Sequence, residues 1–422
     1  MLIEFSIENY RSIKEKVTLS LVASSDKSLD NNLIKNTGLN NDDLLRSAAI
    51  SGANASGKTN VLLGINSLVN MVILSSKNQK GEKIDVTPFR LDDNCVSKPS
   101  RFEVIFIKDN VKYIYGAAVT TEKVVEEYLY YYPKGRKAII FTRDINRDPI
   151  YIFNTDHKNQ KFISTKILDN VLYLSGATQL NYDKTSVAFD WFKDTLQVIG
   201  PTDNPGLKHF TADRLNEDES MKSYIMKGLS EADLGIEDIS VLVKNVSIDD
   251  LPSDLSDKIK SLATKGNLKE ISIKSIHKGI DVNGNKQKVL FEFDEESEGT
   301  IRMFSLIGPW IDALINGHVL IVDELDTKLH HKLSVFLMNL FNNPTQNKNN
   351  AQLIFTTHNT NLLDQDLLRR DQIWFTEKNP EFGSTDLYSL VEFSPRSDKN
   401  IQRGYLAGRY GALPFINNER IF

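Results

Sequence analysis

The chain has 422 residues, 40% of them hydrophobic, with a formal net charge of −5. Such a length and apolar content can bury a large core, suggest two to three domain-sized pieces and exclude a disordered chain, while the acidic balance excludes a global pull toward nucleic acid or anionic membrane. A local basic patch would still be compatible with it, so nucleic acid is neither implied nor excluded.

Only one cysteine, Cys95, is present, which rules out an intrachain disulfide and a cysteine-based zinc site and fits a reducing cytoplasm. The first residues, Met1 to Ile7, alternate like a strand and lack the basic start and apolar run of a signal peptide. The longest apolar-rich stretch, Val61 to Leu74, is interrupted by Asn66, Ser67 and Asn70 and is shorter than the roughly 20 residues that span a bilayer. No membrane association is expected.

Leu2 to Ile7 and Val17 to Leu21 read as a β-hairpin. After a polar loop, Ala48-Ala49-Ile50 leads through a glycine-bounded turn into an apolar-periodic helix beginning near Lys58. Phe102 to Ile107, Val111 to Ala118, Glu127 to Tyr132 and Lys137 to Arg143 predict an antiparallel sheet. Residues 185–268 show charged helical periodicity, including Ser220 to Leu229 and Leu251 to Leu262, and strands resume at Lys269 to His277 and Lys288 to Phe293. Strand runs at His318 to Val322 and Gln352 to Phe355, each followed by a helical pattern, predict a parallel sheet. The expected fold is therefore α/β, divided into 1–184, a helical insertion over 185–268 that forms a short arm or lid, and 269–422.

The octet Gly52-Ala53-Asn54-Ala55-Ser56-Gly57-Lys58-Thr59 matches the phosphate-loop pattern in full. Its glycines let backbone N–H groups approach phosphate oxygens at a helix N-terminus, with Asn60 on the first turn. Lys58 would neutralise β- and γ-phosphates, and the Thr59 hydroxyl would ligate Mg²⁺, a hard cation that takes oxygen ligands. The strand Val319 to Val322 ends in Asp323-Glu324, where Asp323 would hold Mg²⁺ through water and Glu324 would orient or deprotonate the attacking water. His358 ends another strand, where an imidazole could sense the γ-phosphate or be merely structural; its order after the other two motifs favours the first.

These elements resemble the ABC-type ATPase heads of the SMC and RecF kind, and more closely the OLD-related bacterial AAA-family ATP-binding proteins of phage-defence and abortive-infection systems. The resemblance is carried by Phe5-Ser6-Ile7-Glu8-Asn9-Tyr10-Arg11-Ser12-Ile13, the 52–59 loop, Asp323-Glu324, Thr356-Thr357-His358 and Gly404 to Ala412. It implies ATP and Mg²⁺ as ligands, head-to-head dimers or higher homo-oligomers, and an effector protein partner, a nuclease or toxin; a RecF-like DNA-binding repair ATPase is the alternative. It also implies that Ser297 and Gly299 of Ser297-Glu298-Gly299-Thr300 contact the γ-phosphate of a second subunit, although by composition this segment is an acidic turn. An aspartate that such heads carry about two helical turns after the glutamate is replaced by Leu329-His330-His331, which implies a role for His330 between sites. The last large apolar and aromatic residues, Tyr405, Tyr410, Leu413, Phe415 and Phe422, read as a packed tail rather than a docking surface.

Overall fold

The computed structural model describes residues 1–38, 43–200, 205–245, 269–395 and 400–414. The chain divides into two compact units, Met1–Pro201 with Ala313–Asp326 and Leu337–Phe422, and Thr202–Asp312 with Thr327–Phe336.

The first unit holds two sheets. The larger is antiparallel, in the order Tyr151–Ile152, Ala138–Asp144, Val124–Tyr132, Val111–Val119, Ser100–Lys108, Leu2–Glu8, Val17–Ser20. The opening hairpin is thus an edge of this sheet, with Ile7 opposite Val17 and Glu4 opposite Ser20. Alternating burial along Ser100–Lys108 puts Phe102, Val104 and Phe106 on the packed face, as a period of two requires.

The second sheet runs Leu196–Ile199, Val319–Val322, Gln352–Thr356, Ser47–Gly52, Ile373–Lys378, Thr385–Ser389. Its first five strands are parallel and the last is antiparallel. Val319–Val322 and Leu353-Ile354-Phe355 are continuous apolar runs with no exposed residue, the composition of strands covered on both faces.

The helix Lys58–Leu74 buries Val61, Leu62, Ile65, Leu68, Val69 and Val72, an i, i+3, i+4, i+7 stripe. At Gly64 a Cβ would collide with Ile7 Cδ1, so the glycine brings this helix against the opening strand, and residues of both sheets join it in one hydrophobic core. With its terminal turn it spans Lys58–Lys77, the one helix among the described residues long and apolar enough to cross a membrane. Its apolar stripe is committed to that core. Truncating Ile65 to alanine would cost about 2–5 kcal/mol.

The second unit contains the helices Pro205–Glu217 and Glu219–Glu231, and a three-stranded antiparallel sheet, Ile236–Asn245, Lys269–Ile280 and Lys286–Glu292. Within the span read as a helical insertion, 185–268, the described residues hold these two helices but also the strand Ile236–Asn245. Ile239-Ser240-Val241-Leu242-Val243 is a strand because its β-branched residues recur with period two, a pattern masked by the neighbouring charges Glu237 and Asp238. Leu196–Ile199, also within the span of helical periodicity, is a strand of the first unit's parallel sheet. The helical pattern at Leu251 to Leu262 lies outside the described residues.

A further difference follows Gln352–Thr356, where the chain makes the 3₁₀ turns Thr360–Leu362 and Arg370–Gln372, and no α-helix, before the next strand. The Asn359 and Asp364 side chains accept from Asn361 N and Asp366 N, and such local bonds compete with helix propagation.

Candidate functional site

The strand Ser47–Gly52 delivers the phosphate loop to the end of the parallel sheet, and the loop closes into Lys58–Leu74. Ala55 and Gly57 adopt positive φ, 61° and 107°. A Cβ on Gly57 would overlap Thr385 Oγ1, and one on Gly52 would overlap the Thr376 carbonyl, so glycine is required at both positions.

A hydroxyl network holds this loop from outside. Ser56 Oγ and Thr376 Oγ1 are 2.6 Å apart, and Thr385 Oγ1 donates to the Ser56 carbonyl at 2.8 Å. Ser12 Oγ lies 2.7 Å from Thr385 Oγ1 and accepts from Asn60 Nδ2 at 2.7 Å. Ser56, Thr376 and Thr385 are buried, whereas Asn54 and Ala55 are exposed at the loop tip and Thr59 is half-buried. Lys58 Nζ donates to the carbonyls of Gly52 and Ala53, at 2.9 and 3.0 Å. Burial pushes the Lys58 ammonium below its usual range, against the upward pull of Asp323, Glu324 and Asp326.

The carboxylates come from Val319–Val322, two strands away, with Gln352–Thr356 between. Asp323 is 3% exposed; its Oδ1 accepts from Thr356 Oγ1 at 2.5 Å, and its Oδ2 is buried with no hydrogen-bond partner. A buried carboxylate oxygen left unsatisfied is costly, and a hard cation is a suitable partner for it, so the donor set fits Mg²⁺. Glu324 has φ 52°, a strained value for this residue type, fixed by its N–H to Thr356 Oγ1 at 2.7 Å and by Leu325 N to the Thr356 carbonyl. His358 Nε2 stands 3.8 Å from Glu324 Oε1, and the His358 N–H donates to Asp326 Oδ1 at 3.3 Å. Among the described residues, no group of three or more His, Cys, Asp or Glu side chains is placed to hold a metal ion.

The first unit thus brings Gly52 to Asn60, Asp323, Glu324 and His358 to one edge of one sheet. Ser297 and Gly299 belong to the second unit. Ser297 is exposed and caps the 19-residue helix Glu298–Asn316, its Oγ accepting from Thr300 N at 3.1 Å. His330, also in that unit, is exposed and accepts at Nδ1 from Lys332 N. In the tail, Tyr405 and Tyr410 are buried and stack on Phe375, with ring centroids 5.2 and 6.1 Å away; Phe415 and Phe422 lie outside the described residues.

Sequence reasoning assigned no role to Thr356, Thr376, Thr385, Ser12 or Asp326. Thr356 was within reach, since it sits two residues before His358 on the strand adjoining the carboxylates. The hydroxyls of Ser12 and Thr385 meet the loop from opposite ends of the chain; Ser12 lies in the opening segment that carries the resemblance, but nothing in that pattern points it at the loop, and no local pattern marks Thr385.

A parallel sheet with a phosphate loop on one strand and, two strands away, a buried aspartate followed by a part-exposed glutamate defines a P-loop nucleotide-binding protein of the α/β ATPase-head class. The chain belongs to the family described as "AAA domain, putative AbiEii toxin, Type IV TA system", whose model matches residues 47–364 and so encloses the phosphate loop, Asp323, Glu324 and His358. Membership implies nucleotide binding.

The chain is also similar to the SMC head domain from Thermotoga maritima, at 13% identity over 92% of this chain and 98% of that one, with a TM-score of 0.40. The recombination mediator protein RecF bound to an ATP analogue is similar at 11% identity, over 92% and 98%, with a TM-score of 0.39. The fold assignment rests on strand order and the phosphate loop, not on these likenesses. No curated protein matches the chain by sequence.

Proposed function

We propose that this protein is an ATP-binding and ATP-hydrolysing switch in which two heads close around ATP and the closed state is read by a partner effector, a nuclease or toxin, in cytoplasmic antiphage defence. The observation that carries the nucleotide part is the buried, unpartnered Asp323 Oδ2 on the same sheet edge as a hydroxyl-locked phosphate loop. The toxin system named in the family description supports the effector part.

In this reading Gly52, Asn54, Ala55, Ser56, Gly57 and Asn60 shape the loop whose N–H groups take the phosphates, and Lys58 leaves its two carbonyl contacts to neutralise them. Asp323 and Thr59 would hold Mg²⁺, which supplies charge neutralisation on the phosphate oxygens. Glu324 orients and deprotonates the attacking water, and His358 takes part at the γ-phosphate. Ser297 and Gly299 complete the site of a second copy, while the insertion over 185–268 acts as a short arm or lid. A γ-phosphate touched by both copies favours closure only while it is attached, so hydrolysis resets the switch.

The test is the solution mass without nucleotide, with ATP·Mg²⁺, and with ATP·Mg²⁺ after Glu324→Gln, alongside phosphate release. The expected result is an ATP-driven dimer that the substitution locks while turnover stops. A mass indifferent to nucleotide, with turnover intact in the variant, would overturn the assignment.

One observation favours a second reading, a DNA-binding repair ATPase. At one end of the antiparallel sheet, Lys108, Lys112, Lys134, Arg136 and Lys137 crowd two neighbouring hairpin tips, and none forms an ion pair among the described residues. Lys137 and Lys112 lie over the rings of Tyr130 and Tyr132, at 3.6 and 4.3 Å. DNA binding through this tip would weaken steeply with salt, and Lys134→Ala with Arg136→Ala would lower the salt slope by about 0.9 for each phosphate no longer neutralised.

A further inference from the structure

Glu296 immediately precedes the turn Ser297-Glu298-Gly299 and is tied to a different element of the second unit. Its Oε1 accepts from Ser275 Oγ at 2.5 Å and lies 2.6 Å from His277 Nε2. Ser275 and His277 are two residues apart on Lys269–Ile280, hence on one face of the strand, and Ser275 is fully buried. Phe291 on the adjoining strand meets the His277 ring edge-on, with centroids 5.1 Å apart at 79°. From the other side, Lys328 Nζ reaches Glu298 Oε1 at 3.4 Å, and a Cβ on Gly299 would come within 3.0 Å of the Lys328 carbonyl.

The turn is therefore gripped on both flanks. Fastening a surface turn does not require a largely buried carboxylate, since an apolar contact would hold it without desolvating a charge. What the carboxylate adds is direction: one oxygen receiving two side chains from a sheet strand fixes where the next residue, Ser297, starts the helix Glu298–Asn316.

We infer that Ser275, His277 and Glu296 are positioning residues that set the Ser297–Gly299 turn for the γ-phosphate of a second copy, making the three-stranded sheet the element through which that turn is tuned. This rests on the proposed role of Ser297 and Gly299 in a nucleotide-closed dimer. The phosphate loop belongs to the other unit, so the clamp governs closure and turnover rather than the binding of nucleotide to a single head.

The experiment compares Glu296→Ala, Glu296→Gln, Ser275→Ala and Ser297→Ala in the full chain, measuring kcat, KM, ATP affinity, ATP-driven dimer mass and melting temperature. Glu296→Ala is expected to lower kcat at least tenfold and to weaken the ATP-driven dimer, with ATP affinity within twofold and the melting temperature preserved. Glu296→Gln, which keeps an acceptor oxygen, recovers part of the loss, and Ser275→Ala falls between. Folded Glu296→Ala with normal turnover, while Ser297→Ala loses it, overturns the inference, as does a loss that merely tracks melting temperature. Normal turnover and dimerisation in Ser297→Ala removes the underlying role of the turn and the inference with it. If Glu296→Ala does not fold, Glu296→Gln and Ser275→Ala are judged by the same kcat and dimer criteria.

Discussion

Thr356 Oγ1 ties the two site acids together, donating to Asp323 Oδ1 at 2.5 Å and accepting from the backbone N–H of Glu324 at 2.7 Å. One hydroxyl thus orients the side chain of the first and the strained backbone of the second. Replacing Thr356 by valine keeps shape and β-branching but leaves a buried carboxylate oxygen and a backbone N–H unpaired. The expected cost is about 1–3 kcal/mol in denaturant unfolding, with a fall in phosphate release beyond what the stability loss explains. Thr356→Ser should restore most of both.

Gly57 makes a sharper prediction about the loop. Its φ of 107° disfavours any side chain, and the added methyl of Gly57→Ala would meet Thr385 Oγ1, Cγ2 and Cβ. Left-handed strain alone is about 1–3 kcal/mol, and relieving the collision would pull Thr385 off the Ser56 carbonyl. The variant should fold with a lowered melting temperature and show no thermal shift with ATP·Mg²⁺. An unchanged shift would mean that the loop tolerates the displaced threonine.

How far the site could be read before its structure follows from how local its determinants are. Gly52 to Thr59 and Asp323-Glu324 are contiguous and tied to strand ends, so pattern and chemistry coincide in one short window. The antiparallel sheet was legible for the same reason, because Ser100–Lys108 alternates cleanly. Thr385, Thr376 and Ser12 act through pairings such as Trp374 with Ser389 and Thr376 with Gly52, which bring distant residues to the loop. Ile236–Asn245 was read as helical because a charged strand in a small two-layer unit keeps too little apolar contrast to reveal its period.

Acid should release one tie of the first unit. Burial alone would raise the Asp26 carboxyl, but Arg370 Nε at 2.6 Å and the Ser28 N–H at 2.9 Å outweigh it and hold the group down to about 2, from 3.8. A carboxyl with a depressed folded-state pKa contributes stability that is fully present above 3.8 and is lost as pH falls toward about 2. Asp26→Asn should therefore lower stability at neutral pH and flatten its pH dependence between those values, measured by chemical unfolding at stepped pH. A slope identical to that of the unsubstituted protein would remove Asp26 as a contributor.

The 3.8 Å approach of His358 Nε2 to Glu324 Oε1 separates two roles that share one sheet edge. If Glu324 handles the water, Glu324→Gln removes the base and should lower turnover by about 10²–10⁴-fold with ATP still bound. In the proposed mechanism His358 would act mainly through its γ-phosphate contact, a charge-assisted bond of about 1.5–3 kcal/mol, because at 3.8 Å and part-exposed its pairing with Glu324 adds little. His358→Ala should then cost about 10–100-fold in kcat, at roughly tenfold per 1.4 kcal/mol. Asp326→Asn perturbs His358 only through its backbone N–H and should cost less than either. The decisive comparison is the double variant Glu324→Gln with His358→Ala, because residues acting as a unit lose no more together than the worse one alone. A fully additive loss would show that His358 works independently of Glu324.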